Sequence, residues 1–132
     1  MNTNLAKTNT DFLATFYTAT GKLNFSTPFA REILLLECYV AGTTYRENIE
    51  EIAEWLETGA NLRLQREPEN KFDPSAIAVY DAQNNILGYV PRAKNEVLAR
   101  LLEAGKHLSA KLVAKDRLDG WTRLNIEIFL HD

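Results

Sequence analysis

Leu62 and Leu64 alternate with Asn61, Arg63 and Gln65, and the alternation stops at Arg66. A period of two sends one face of a strand into a core and the other into water, so 61–66 is predicted as a half-buried strand. The same alternation, or a short continuous apolar run, marks strands at 32–41, 76–80, 86–90, 108–114 and 124–130. In the last of these, Leu124, Ile126, Ile128 and Leu130 share one face. Two segments carry the helical period instead. Ile49, Ile52, Ala53 and Leu56 fall on one face of 48–56, with Asn48 as N-cap, Glu51 three residues on as a variant capping box, and Gly59 suited to the C-terminus. Val97, Leu98, Leu101 and Leu102 fall on one face of 93–104, which Gly105 closes.

Turn chemistry separates these elements at 42–45, 81–85 and 116–120, and Pro91 ends the strand before the second helix. The predicted order is β-α-β-β-β-α-β-β. Only two connections hold a helix, which does not suit a parallel sheet. A mostly β fold is expected: a small six-stranded antiparallel barrel or curled sheet with two short helices. Residues 1–30 show no sustained period, although Phe12, Leu13, Phe16 and Tyr17 would share a helical face. They read as a peripheral or partly ordered N-terminal arm, and 31–132 as the domain.

A chain of 132 residues with an ordinary apolar share can bury a core without staples. The single cysteine, Cys38, excludes an internal disulfide framework and sits in an apolar run, as a buried small hydrophobe does. No apolar run is long enough for a membrane span or a secretory signal, so a cytoplasmic protein is expected. The net charge of −3 argues against coating nucleic acid by charge alone. Its distribution changes that picture. Seven acids face one base, Arg46, between Glu32 and Glu57, whereas seven bases face three acids between Ile86 and Arg117. One side can attract phosphate while the whole stays acidic; solvated faces of two helices would give the same asymmetry.

Catalytic chemistry is hard to assemble. His107 at a strand start and His131 near the C-terminus read as solvated, and no nucleophile elbow or phosphate-binding Gly-rich motif is present. Glu67, Glu69 and Asp73 form one acidic set able in principle to bind Mg²⁺ for phosphodiester hydrolysis, but acids in a loop are usually solvated. No catalytic residue, metal or cofactor is assigned.

Binding chemistry is present. The stretch 66–79 joins two predicted strands with Pro68, Asn70, Phe72, Asp73 and Pro74, more special residues than a plain connection needs. Phe72 in this loop and Tyr45 in the Gly42 turn both follow strand ends and can reach one mouth of a small barrel. Two rings there can stack on bases, at roughly 1–3 kcal/mol per base. Asp73 can accept a hydrogen bond from a hydroxyl and would repel a phosphate. The other reading has Phe72 capping the core and Asp73 satisfying loop amides.

Val40-Ala41-Gly42-Thr43-Thr44-Tyr45, the run from Leu64 to Val79, Gly88-Tyr89-Val90-Pro91-Arg92 and the run from Leu98 to Gly105 together resemble the HIRAN domain family. The resemblance implies a modified OB-like barrel of six strands and two helices. It implies a non-enzymatic module that captures the 3′-hydroxyl end of single-stranded DNA, in repair or replication-fork processing, with DNA-processing proteins as further partners. It places stacking rings at Tyr45 and Phe72, the hydroxyl acceptor at Asp73, a residue that shapes the pocket or bonds the DNA at Asn70 and a phosphate contact at Arg92. Gly42, Thr44, Lys71 and Tyr89 complete the expected nucleic-acid-binding set. Thr44 stands where a basic phosphate contact is expected and Tyr89 where another polar one is, so a thinner phosphate grip and weaker binding are expected. The alternatives are a protein–protein module built on the acidic first helix and the aromatic arm, and the metal-dependent nuclease.

Overall fold

The computed structural model describes residues 31–131. The aromatic arm predicted for 1–30 therefore lies outside the described residues. The strands are β1 (Glu32–Tyr39), β2 (Asn61–Arg66), β3 (Ile77–Tyr80), β4 (Ile86–Tyr89), β5 (His107–Leu118) and β6 (Trp121–His131). The helices are α1 (Ile49–Trp55) and α2 (Asn95–Glu103), and short 3₁₀ turns occupy Thr43–Tyr45 and Arg92–Lys94. The predicted order of elements is the observed one.

All strand pairs are antiparallel, in one six-stranded sheet of order β1-β6-β5-β2-β3-β4. Register shifts between Leu34 and Leu36, Val79 and Tyr80, and Leu112 and Ala114 bend the strands. The sheet curls until its two outer strands come together. Just past β1, Ala41 N–H donates to Tyr89 O at 2.7 Å, and Tyr89 N–H donates to Ala41 O at 2.9 Å. That one bridge joins the edges β1 and β4. Gly88 makes it possible: at φ +153°, an added Cβ would lie 2.2 Å from Ala41 O.

The core fills the inside of the curl. Leu62 and Leu64 of β2, and Leu124, Ile126 and Ile128 of β6, point inward as their alternation requires. β3 is buried throughout Ile77-Ala78-Val79, where the periodic signal was a continuous run. Cys38 is buried among them, and that burial pushes its thiol up to about 11. Leu98 and Ala99 of α2 cover one end of this core. Truncating Leu98 to Ala at such a site costs about 2–5 kcal/mol.

Four local expectations need correction. Val97, placed on the apolar face of α2, is 69% exposed, because α2 begins at Asn95 after a 3₁₀ turn and its buried stripe runs through Leu98 and Ala99. Asn48 stands at the N-cap of α1 but in a left-handed conformation (φ 61°) with no side-chain cap bond. Gly59 does not terminate α1, which ends at Trp55; the Lys115 ammonium from β5 donates to the carbonyls of Ala53 (2.8 Å) and Leu56 (2.6 Å) at that end. Strands β5 and β6 run longer than their apolar alternation, because Asp119 (φ 39°) and Gly120 (φ 79°) make a two-residue hairpin turn. Gly105 closes α2 as expected: its N–H donates to Leu102 O and that of Lys106 to Leu101 O, each at 3.0 Å.

Candidate nucleic-acid interface

One residue shapes the loop between β2 and β3. Asn70 Oδ1 accepts the amides of Phe72 (2.8 Å) and Asp73 (3.0 Å), and Asn70 Nδ2 donates to Glu67 Oε1 at 3.0 Å. An Asn side chain can mimic a backbone turn in this way. At the loop's base, Arg66 donates to the carbonyls of Ala76 and Pro74 at 2.9 Å and pairs with Glu103 of α2 at 2.6 Å. The result is that the Phe72 ring stands in solvent, 85% exposed, and does not cap the core.

The opposite wall is the turn after β1. Gly42 takes φ +78° to start it, and the buried Thr43 hydroxyl donates to Thr122 O of β6 at 2.7 Å. This anchor leaves the next side chains outside. Tyr45 is 83% exposed, and Arg46 follows it into the same cleft.

β4 supplies the floor. The Tyr89 hydroxyl donates to Glu67 Oε1 at 2.9 Å, so the floor is tied to the Asn70 turn. Burial, then this bond to Glu67, raise the Tyr89 hydroxyl above its ordinary pKa. The Arg46 guanidinium lies 5.9 Å from the Tyr89 ring centroid.

Asp73 sits where the walls meet. Its Oδ1 accepts the Ser75 amide at 2.9 Å and its Oδ2 accepts Asn95 Nδ2 from α2 at 2.8 Å. Arg92 Nε lies 3.6 Å from the same Oδ2, and Arg92 also donates to Phe72 O. The Asn95 amide first, then the Ser75 amide, with Arg92 and Arg66 adding, hold the carboxyl below the usual carboxylate range. Asp73 thus satisfies a loop amide, as one reading required. Each carboxylate oxygen has two lone pairs, so it keeps capacity for a further donor.

Six of the nine candidate residues, Tyr45, Asn70, Phe72, Asp73, Tyr89 and Arg92, line one open cleft of ≈ 620 Å³. Gly42 is not among its lining residues. Thr44 is exposed but faces a neighbouring concavity with Arg117 and Thr122. Lys71 is exposed at the loop tip. Arg46, Glu67, Asn95, Thr43 and Gly88 are structural or lining parts of the site that the sequence reading did not assign. Arg46 adjoins Tyr45 and was open to notice; Asn95 reaches the site only through the packing of α2, for which the sequence carries no signal. Of the three acids considered for Mg²⁺, Glu67 is held by Asn70 and Tyr89, and Asp73 by Ser75 and Asn95.

Residues 33–131 match the family model of the HIRAN domain. The chain is similar to a protein of known structure from Lactobacillus plantarum, with TM-score 0.71 and 27% identity, over 78% of this chain and 98% of that one. It is similar to the HIRAN domain of human HLTF, with TM-score 0.60 and 17% identity, over 76% of this chain and 78% of that one. It also resembles the NMR structure of that domain in its DNA-bound conformation, with TM-score 0.52 and 20% identity, over 74% and 78% of the two chains. At these identities the likeness to HLTF is one of fold. A relative in Oryza sativa subsp. japonica, a Fanconi-associated nuclease 1 homolog, is 38% identical over 74 residues, which are 53% of this chain and 7% of that protein. The chain thus corresponds to a small part of that relative.

Proposed function

The chain belongs to the HIRAN domain family, and on that footing we propose that it binds single-stranded DNA at its 3′-hydroxyl end, as a non-enzymatic module in DNA repair or replication-fork processing. The observation that carries this reading is the pair of outward rings, Tyr45 and Phe72, flanking a cleft that also holds the Asp73 carboxylate. Rings this exposed contribute little to the core, and their open faces suit bases. Asp73 accepts the terminal hydroxyl through its remaining lone pairs, and Arg92 beside it offsets the repulsion between the carboxylate and a nearby phosphate. The HIRAN domain of HLTF has a DNA-bound conformation, which supports the same ligand class here.

The test is fluorescence anisotropy with short oligonucleotides that differ only in a 3′-hydroxyl or a 3′-phosphate. The hydroxyl end is expected to bind at least tenfold more tightly. Equal affinity for both ends would remove the role given to Asp73.

A protein–protein role has one observation in its favour. Trp55 ends the acidic helix α1 and is 82% exposed, with Glu51, Asp81 and Gln83 around the adjoining concavity. Under this reading Trp55→Ala abolishes a pull-down interaction and leaves oligonucleotide binding untouched.

A further inference from the structure

Arg46 differs from the other arginines around the sheet. Arg63, Arg66, Arg92, Arg100, Arg117 and Arg123 each donate to a protein oxygen. Among the described residues the Arg46 side chain makes no hydrogen bond or ion pair; its Nε is buried without a partner, as are those of Arg66 and Arg123, but only in Arg46 are the terminal nitrogens unpaired as well. Its guanidinium leans toward the face of Tyr89 and lines the cleft between Tyr45 and Phe72. A planar cation whose donors are free and already oriented is suited to phosphate. Of the three positions where a phosphate contact was expected from the sequence, Arg92 lines the cleft against Asp73, and the other two do not serve. Thr44 does not line this cleft, whereas Arg46 lines both it and the concavity that Thr44 borders, and the single hydroxyl proton of Tyr89 is given to Glu67.

We propose that Arg46 is a phosphate ligand of this cleft in addition to Arg92, holding the linkage between the two nucleotides whose bases stack on Phe72 and Tyr45. Tyr89 is then a positioning residue: its ring carries the guanidinium, and it makes no phosphate contact. The phosphate grip is moved by two residues from Thr44 rather than lost. This inference rests on the end-binding reading above and names a phosphate ligand of the same site.

The experiment measures the salt dependence of oligonucleotide binding for the parent, Arg46→Ala, Arg46→Gln and Tyr89→Phe. It is repeated with a neutral methylphosphonate at the last internucleotide linkage. Both Arg46 variants are expected to bind at least tenfold more weakly and to flatten the slope of log K against log salt by about 0.7, the contribution of one single-strand phosphate contact. The methylphosphonate should weaken the parent and leave the Arg46 variants no worse. Tyr89→Phe loosens the loop through Glu67 and lowers affinity, but keeps the parent slope. If Arg46→Ala keeps the parent slope and the parent's sensitivity to methylphosphonate, the assignment to Arg46 is wrong while a 3′-hydroxyl preference still stands. A flattened slope in Tyr89→Phe overturns the positioning role. A parent that does not bind oligonucleotide ends overturns both this inference and the reading beneath it.

Discussion

Ala41 and Tyr89 exchange both of their backbone hydrogen bonds, at 2.7 and 2.9 Å, and so join the two edges of the sheet directly beneath the cleft. The bridge brings the Gly42–Tyr45 wall to the β4 floor. It exists because Gly88 has no side chain. An alanine Cβ at that position would stand 2.2 Å from Ala41 O and 2.8 Å from Val40 Cγ1, and backbone oxygen has no flexible end to withdraw.

Gly88→Ala is therefore expected to destabilise the fold by about 2–3 kcal/mol, the scale of overpacking in a close-packed interior. Urea denaturation measures this. A variant as stable as the parent would mean that the bridge is dispensable.

Asn70 is expected to act on order rather than on global stability. Asn70→Ala removes the acceptor of two loop amides, at a cost of about 1–3 kcal/mol felt in the loop. Hydrogen exchange at Phe72 and Asp73 should accelerate markedly while exchange in β6 stays slow. Unchanged protection at Phe72 and Asp73 would show that other contacts hold the loop.

Tyr45→Ala and Phe72→Ala should separate stability from binding. Both rings are more than four-fifths exposed, at 83% and 85%. Each change is expected to shift stability by less than about 0.5 kcal/mol. Each should weaken binding more than tenfold, since about 1.4 kcal/mol corresponds to a factor of ten. Parent-like binding in both variants would reject stacking.

The depressed pKa of Asp73 carries a pH dependence of definite sign. The folded state favours the carboxylate through Asn95 and Ser75. Its contribution is complete above the ordinary carboxylate value of about 3.9 and is lost as pH falls through the lower folded value. The stability gap between the parent and Asp73→Asn should be constant from about pH 5 upward and should narrow below about pH 4. Paired denaturant titrations across this range check it; a gap that instead widens in acid contradicts the assigned sign.

The sequence by itself determined which segments are strands and which are helices, because each commits a face to the core and that face repeats every two or every 3.6 residues. Leu62 and Leu64, the run Ile77 to Val79, and Leu124, Ile126 and Ile128 were legible for that reason. The residue types of the cleft were legible as well, since Phe72, Asp73 and Tyr45 occur in segments with no packing role of their own. Pairings across the chain were not. Gly88 reads locally as an awkward glycine in a strand, and only the approach of Ala41, 47 positions earlier, explains it. Asn95 falls inside the helix predicted at 93–104, and only the seating of α2 brings its amide to Asp73. Thr44 and Arg46 are near neighbours, and the family resemblance placed a phosphate contact at the position of Thr44. In the tertiary structure Arg46 lines the cleft and Thr44 does not, in a turn fastened by the anchor of Thr43 on Thr122. Local periodicity encodes what each segment buries, whereas the orientation of a turn depends on what it is fastened to.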